Sequence, residues 1–202
     1  RVIALANSRK MLFDEEGIDL KSWQNGLDNG EKADQKSFIE QVKNLNLRNS
    51  IFVDITANEG VSQTYANYLK ESVAVVTCNK IACSSAYENY AFLKSTAREY
   101  NAPFLFETNV GAGLPVIDTL NNLIASGDKI YKIQAILSGS LNYIFNKFNS
   151  KTTFKKVVQS AQNEGFTEPD PKIDLSGVDV ARKILILARE SGFKLELKDI
   201  VN

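Results

Sequence analysis

Short apolar runs alternate with amphipathic stretches through the first half of the chain. The runs are residues 2–6, 50–56, 73–77 and 103–107. Apolar and polar positions do not alternate within them, which is typical of strands buried on both faces. The stretches with apolar side chains at helical spacing are residues 37–47, 60–70 and 84–100. This alternation of strand and helix predicts a doubly wound parallel sheet covered by helices.

The second half is more helical and less regular. We expect helices over residues 115–125, 154–163 and from Gly177 onward, another starting near Ser138, and a long strand at 130–137. We place a domain boundary near Leu114. Residues 1–114 are then a partial Rossmann-like dinucleotide-binding domain, because no G-x-G-x-x-G follows any predicted strand and the first strand and phosphate loop are missing. Residues 115–202 are part of an α+β catalytic domain that binds the substrate.

Composition excludes several classes of function. The 202 residues are 44% hydrophobic and 24% charged, with 24 basic and 24 acidic side chains. A balanced charge gives no field that would recruit nucleic acid, and no apolar run approaches the ~20 residues of a membrane helix. The two cysteines, Cys78 and Cys83, form no C-x-x-C motif. We therefore expect neither a nucleic-acid nor a membrane partner, and a reducing, cytoplasmic location.

The chain contains no histidine. This excludes Ser-His-Asp and Cys-His catalysis as well as metal sites built on histidine. Any general acid or base must therefore be a lysine, aspartate, glutamate, tyrosine or cysteine.

The densest chemistry lies in residues 167–183, T-E-P-D-P-K-I-D-L-S-G-V-D-V-A-R-K. Pro169 and Pro171 should hold the start extended. On the helix that follows, Asp179 and Lys183 are four residues apart and share a face. Ser176-x-x-Asp179 also resembles a capping box, and the Asp179–Lys183 pair could be an ordinary surface ion pair. The apolar helix around the pair and the crowding of acids favour a site that binds an amine and moves a proton.

The ends of the predicted strands carry three further candidates, because ligands of open parallel sheets lie beyond the carboxyl ends of the strands. Ser8, Arg9 and Lys10 offer a hydroxyl and two cations, which suit a 2′-phosphate and favour NADP; a basic turn is the alternative. Thr56 follows the second run. Lys80 leaves the third run directly, although a surface lysine has the same pattern.

The fourth strand end is Glu107, which is followed by the glycine-rich stretch V-G-A-G-L-P. Glycines beside a carboxylate allow several backbone carbonyls to converge on a hard cation. A tight strand-to-helix turn needs glycine for its backbone as well, so both interpretations stay open.

Taken together, these residues resemble homoserine dehydrogenase over essentially the whole chain. The most specific stretches are E-T-N-V-G-A-G-L-P-V-I from Glu107, L-S-G-S-L-N-Y-I-F from Leu137, and the long acidic stretch from Gly165. The opening residues are most similar to the dehydrogenase half of bifunctional aspartokinase–homoserine dehydrogenases. The resemblance implies NAD(P)-dependent interconversion of homoserine and aspartate 4-semialdehyde in threonine and methionine biosynthesis, by a full-length enzyme that is a homo-oligomer.

The resemblance also implies roles for single residues. Lys183 matches the proposed proton donor and acceptor, and Lys80 matches a lysine near nicotinamide and substrate, which makes it the competing donor. The substrate-binding acids would be Glu168, Asp174 and Asp179. The cofactor contacts would be Ser8, Arg9, Thr56 and Lys80. A sodium site would comprise Glu107 and the carbonyls of Val110, Ala112 and Leu114.

Two departures from the family pattern matter. Ile173 stands where the family usually has an acid, so it is assigned no polar role, and the family's catalytic unit is considerably longer than this chain. We therefore expect an internal piece of an enzyme that is inactive in isolation. Two rival functions stay open: another NAD(P)-dependent oxidoreductase of a small amino or hydroxy acid, and a piece that binds an amino acid without turnover. The preference between NADP and NAD, an upstream kinase domain and threonine feedback are not determined by the sequence.

Overall fold

Two three-stranded sheets form the framework of the computed structural model, which describes residues 1–202. The first sheet is antiparallel and has the order β1–β2–β3. Its strands are β1 (Ala4–Ala6), β2 (Lys10–Phe13) and β3 (Glu31–Lys32). The second sheet is parallel and has the order β4–β5–β6. Its strands are β4 (Ile51–Asp54), β5 (Ala74–Thr77) and β6 (Phe104–Leu105).

Eleven helices complete the fold. They are α1 (Trp23–Asp28), α2 (Gln35–Leu45), α3 (Glu59–Ser62), α4 (Tyr65–Leu69), α5 (Ile81–Ser84), α6 (Tyr87–Glu99), α7 (Val116–Ala125), α8 (Gly139–Lys147), α9 (Phe154–Asn163), α10 (Pro171–Leu175) and α11 (Val178–Glu190). Residues 107–109 and 197–199 form 3-10 turns. None of these helices is both long and apolar enough to cross a lipid bilayer. The parallel sheet with flanking helices confirms the predicted Rossmann-like class.

One face of the parallel sheet carries the main core. Its inward side chains, including Val75 and Phe104, belong to a cluster of 17 buried apolar residues that also contains Ile186 and Leu187 of α11. An aromatic row joins this core to the antiparallel sheet, with ring centroids 4.9 Å apart for Phe13–Phe38 and 6.5 Å for Phe38–Phe52. Helix α11 is therefore fixed to the same core as the strands.

The other face of the parallel sheet is open to solvent. Ile51, Val53 and Leu105 are 61%, 56% and 54% exposed. The prediction of helices on both faces is therefore wrong for this face. The continuous apolar runs were typical of double-sided burial, but the core cluster of the chain packs against the opposite face only.

The first strand also differs from expectation. We predicted a buried parallel strand at residues 2–6, whereas β1 is partly exposed and pairs antiparallel with β2. The reason lies in the turn between them, where Asn7 Oδ1 accepts hydrogen bonds from the backbone N–H groups of Arg9 and Lys10, both at 2.8 Å. This local side-chain bond reverses the chain before it can enter the parallel sheet.

The predicted strand at 130–137 is wrong, because these residues form no strand. A strand needs a neighbour to satisfy its backbone groups, and neither sheet includes this segment. Ile130, Ile133 and Leu137 pack against the main core, while Tyr131 and Ile136 are largely exposed. The apolar pattern of residues 130–137 therefore belongs to a segment that is not a strand and that packs against the main core through these three side chains.

Candidate active site

The acidic segment forms a short helix where we predicted an extended loop. Asp170 caps α10, since its Oδ1 accepts a 3.1 Å hydrogen bond from the backbone N–H of Lys172. Pro171 occupies the first helical position, where the missing N–H costs nothing because that group has no helical partner. Pro171 therefore starts a helix, and the prediction of an extended segment is wrong from Pro171 to Leu175, whereas Asp170 before it keeps an extended backbone.

Helix α11 begins without the predicted capping box. Its cap is Gly177, at φ +71°, and no side chain caps the helix. This backbone angle lies in the left-handed region, which favours glycine. Because the carboxylate of Asp179 does not cap the helix, it is available to contact other groups.

Asp179 joins the two candidate lysines. Lys183 Nζ lies 2.6 Å from Asp179 Oδ2, and Lys80 Nζ lies 3.4 Å from Asp179 Oδ1. The lysine side chains are 18% and 29% exposed, respectively. Residues far apart in sequence therefore meet as one cluster of two ammonium groups on opposite oxygens of a single carboxylate.

Electrostatics favour the ionised form of this carboxylate. Partial burial by itself would raise the pKa of Asp179. The hydrogen bond from Lys183 and the positive charges of Lys80 and Lys183 outweigh that effect, and the pKa lies below its ordinary value. Two positive charges and one negative charge leave the cluster with a formal charge of about +1 at neutral pH.

Lys183 retains a proton donor for a ligand. Its Nζ also donates to the backbone carbonyl of Leu137 at 2.7 Å. An ammonium group has three N–H donors, so the carboxylate and the carbonyl occupy two of them. The third donor remains available for an oxygen atom of a bound ligand.

A buried polar network, which sequence reasoning missed, holds the residue that precedes Lys80, Asn79. Asp54, at the end of β4, accepts hydrogen bonds from the hydroxyl of Tyr65 at 2.5 Å and from Asn79 Nδ2 at 3.1 Å. Burial, followed by the hydrogen bond to Asp54, raises the pKa of Tyr65, so the hydroxyl remains a donor. Asn79 Nδ2 also donates to the carbonyl of Asn58 at 3.0 Å. The one sequence signal was a lone acid within the apolar run I-F-V-D-I-T.

The remaining acids of the segment take different positions. Asp174 uses both oxygens within the chain: Oδ1 accepts from the hydroxyl of Ser140, and Oδ2 accepts from the backbone N–H of Glu168, each at 2.8 Å. The side chain of Glu168 is exposed and forms no ion pair. Asp174 therefore holds the backbone at Glu168 while the Glu168 carboxylate faces solvent.

Apart from Lys80, the predicted cofactor residues lie on two separate loops. Ser8 and Arg9 occupy the exposed tip of the β1–β2 turn, where neither side chain has a hydrogen-bond partner. Lys10 is different, because its Nζ donates to the carbonyl of Gly30 at 2.8 Å. Thr56 follows β4, and its hydroxyl accepts from the backbone N–H of Asn58 at 3.1 Å. No hydrogen bond joins the Ser8–Arg9 turn to the Thr56 loop.

The carboxylate of Glu107 binds the start of helix α7. Its two oxygens accept hydrogen bonds from the backbone N–H groups of Ile117 and Asp118, at 2.8 and 2.7 Å. The carbonyl of Leu114 accepts from Val116 at 2.9 Å, and the chain passes through Ala112 at φ +52°. No cluster of three or more acidic or cysteine side chains forms a metal site. A cation site at the Val110, Ala112 and Leu114 carbonyls stays a prediction.

The fold and the site together define a class of protein. The sheet is Rossmann-like, and Thr56 and Lys80 follow the carboxyl ends of adjacent strands, β4 and β5. Proteins of the dinucleotide-binding α/β class bind their cofactors at this edge of the sheet.

Comparison with known families narrows this class. The family model described as "Homoserine dehydrogenase, NAD binding domain" matches residues 1–107, and the model described as "Homoserine dehydrogenase" matches residues 115–202. The chain belongs to the homoserine dehydrogenase family.

Individual relatives agree with this assignment. A bifunctional aspartokinase/homoserine dehydrogenase from Haemophilus influenzae is 48% identical over 201 residues, which are 99% of this chain and 25% of that protein. A crystal structure of a Candida auris protein of unknown function matches with a TM-score of 0.88 and 34% identity, over 96% of this chain and 56% of that one. A hyperthermophilic archaeal homoserine dehydrogenase in complex with NADPH matches with a TM-score of 0.76 and 27% identity, over 94% and 60%. The chain thus spans a quarter of the length of its bifunctional relative.

Proposed function

We propose that the protein containing this chain is an NAD(P)-dependent homoserine dehydrogenase, which interconverts L-homoserine and L-aspartate 4-semialdehyde. The observation that supports it most directly is the Asp179 carboxylate between the ammonium groups of Lys80 and Lys183. Reduction of an aldehyde adds a hydride at carbon and a proton at oxygen. A bound nicotinamide cofactor would supply the hydride, so the chain itself must provide the proton and the charge stabilisation.

Lys183 is the proposed proton donor. Its free N–H can reach a substrate oxygen while Asp179 and the Leu137 carbonyl fix the direction of the side chain. The net positive charge of the cluster stabilises an alkoxide as it develops. Lys80 adds to that charge and is the competing donor. In the reverse direction, the same lysine accepts the proton from the alcohol of homoserine.

The substrate ammonium requires negative charge, which two acids would supply. Asp179 is already shared between two lysines, so we assign the larger part to Glu168, whose carboxylate has no ion pair. Asp174 lines the site and orients Glu168 through its backbone N–H. This division of roles separates ammonium binding from proton transfer.

The cofactor would contact Ser8, Arg9, Thr56 and Lys80. The unpartnered hydroxyl and guanidinium at the β1–β2 tip fit a phosphate group, and a guanidinium can bind one in bidentate fashion. This chemistry favours NADP over NAD. A sodium ion at Glu107 and the carbonyls of Val110, Ala112 and Leu114 remains part of the proposal.

The wider organisation is proposed as well. Residues 1–114 would bind the dinucleotide, and residues 115–202 would supply most of the substrate site, a division supported by the two matched ranges. The full-length enzyme would be a homo-oligomer. The two free cysteines are consistent with a cytoplasmic location.

Replacement of Lys183 tests the mechanism. In the full-length enzyme, Lys183→Ala should lower kcat for homoserine oxidation by ~10²-fold or more, because the positioned group that accepts the alcohol proton in this direction is lost. Lys155→Ala, at an exposed position of α9, is the matched control and should leave kcat unchanged. A loss for Lys183→Ala below about threefold would remove this lysine from the proton transfer.

Substrate comparison tests the reaction itself. Homoserine should be preferred over other small hydroxy acids, and equal turnover of several would support a different oxidoreductase. The isolated 202-residue chain should show negligible dehydrogenase activity, and measurable turnover would contradict this part of the proposal.

A further inference from the structure

We infer that Arg182 is a positioning residue, which sets the place of Lys80 through the hydroxyl of Ser84 without touching the substrate. This inference rests on the proposed function, since it concerns how the lysine cluster is assembled. Arg182 is adjacent to Lys183 in sequence, but its side chain contacts a different element.

A continuous chain of hydrogen bonds connects Arg182 to Lys80. Arg182 Nη1 donates to Ser84 Oγ at 2.8 Å, and Ser84 Oγ donates to the backbone carbonyl of Lys80 at 2.8 Å. The backbone N–H of Ser84 donates to the same carbonyl at 3.0 Å. Ser84 is buried, so water does not compete freely for these bonds.

Helix α11 therefore holds Lys80 at two points. The Lys80 side chain contacts Asp179, and its backbone carbonyl is tied to Arg182 through Ser84. Asp179 and Arg182 are three residues apart on α11, which places them on one face of the helix. Two residues on one face of α11 thus fix both the side chain and the backbone of Lys80.

The second point of attachment matters because Lys80 stands on a weak element. It precedes α5, which has four residues and would be unstable alone. Its contact with Asp179 is also the longer of the two, at 3.4 Å against 2.6 Å for Lys183. The position of Lys80 consequently depends on how α5 is docked against α11, whereas Lys183 is carried by α11 itself.

The decisive experiment compares Arg182→Met in two backgrounds of the full-length enzyme. In the otherwise wild-type enzyme, Arg182→Met should lower kcat for homoserine oxidation about tenfold through a displaced Lys80. In a Lys80→Met background the same substitution should change kcat less than about twofold, because the residue it positions is gone. An equal loss in both backgrounds would overturn the inference and assign Arg182 a general structural role.

A second variant keeps the test valid if Arg182→Met impairs folding. Ser84→Ala removes the relay hydroxyl and leaves the guanidinium in place. It should reproduce the loss in kcat, and the Arg182→Met/Ser84→Ala double variant should be no worse than Arg182→Met within about twofold. Additive losses would contradict a shared chain. Arg98→Met, at an exposed position of α6, is the control for loss of an arginine and should be neutral.

The pH profile supplies a readout that simple destabilisation would not move. The charge of Lys80 contributes to the lowered pKa of Asp179. A displaced Lys80 should therefore move the titration of the Asp179 carboxyl, followed by ¹³C NMR in Ser84→Ala, to higher pH, and an unmoved titration would contradict the inference. The wild-type enzyme is assayed first: absence of homoserine-dependent NADP reduction would refute the proposed function, whereas wild-type activity with neutral Arg182 and Ser84 variants would refute the positioning role alone.

Discussion

The two regions that contribute to the candidate site are packed to very different degrees. The main core contains 17 buried apolar residues, and it includes the covered sheet face and Ile186 and Leu187 of α11. The second core, between α8 and α9, contains only Ile144, Val157 and Ala161. The lysine cluster is anchored in the first region, whereas Glu168 and Asp174 lie next to the second.

This difference separates the tasks of the site. Proton transfer needs donors fixed within fractions of an ångström, and a large core supplies that rigidity. Recognition of a flexible amino acid tolerates a segment that adjusts, and a small core permits adjustment. We expect Lys80 and Lys183 to be pre-organised, and Glu168 and Asp174 to adopt their final positions when the substrate binds.

The largest expected effect comes from matched cavities in the two cores. Ile186→Ala should lower the free energy of unfolding by roughly 4 kcal/mol, and Ile144→Ala by only about 2 kcal/mol, because a small peripheral core collapses more easily around a deletion. Urea denaturation of the two variants measures the difference, since both isoleucines are fully buried.

Amide exchange then locates each loss. Ile186→Ala should reduce protection in β5 as well as in α11, and Ile144→Ala should reduce it in α8 and α9 alone. Equal free-energy losses, or exchange that spreads through both regions from Ile144→Ala, would show that the two cores unfold as one.

A smaller effect is expected where the acidic segment is attached. Asp174→Ala removes the acceptor for Ser140 and for the backbone N–H of Glu168. The KM for homoserine should rise about fivefold, the scale of the single lost hydrogen bond that holds the Glu168 backbone, while kcat changes less than about twofold. Steady-state kinetics of the full-length enzyme measure both. A loss confined to kcat would place Asp174 in the chemical step instead.

The smallest effect concerns the pH dependence of stability at Asp179. Because the pKa of Asp179 is lowered in the folded state, its stabilising contribution is present above the unfolded pKa of about 3.9 and is lost as pH falls through the folded pKa. The stability difference between wild type and Asp179→Asn should therefore be constant near neutral pH and disappear in acid. High salt should reduce it, since the carboxylate is half exposed. A difference that persists in acid would indicate a packing effect.

The local spacing of apolar residues was sufficient to predict those helices and strands whose formation is determined by their own sequence. Helices α2, α9 and α11 and strands β4 and β5 lie within a few residues of the predicted ranges, because their apolar spacing is regular. The i,i+4 spacing likewise predicted the Asp179–Lys183 contact. The position of Lys80 after a predicted strand made it a candidate, the family resemblance gave it a role, and the structure brings it to the same carboxylate.

The errors arose where distant partners decide the structure. Residues 130–137 have the composition of a strand but no neighbour to pair with, and the Asn7 turn reversed a run that composition assigned to the parallel sheet. The bond between Arg182 and Ser84 joins residues 98 positions apart, so no local spacing could indicate it. Buried Asp54 and Asn79 were missed for the same reason.

The bridging carboxylate offers a spectroscopic reporter within the native sequence. One carbon atom, the side-chain carboxyl of Asp179, is bonded to two oxygens that each contact a different ammonium group. A ¹³C label at that carbon would sense any ligand that draws Lys80 or Lys183 away. A single NMR resonance could then follow ligand binding at the lysine cluster without a dye or an affinity tag.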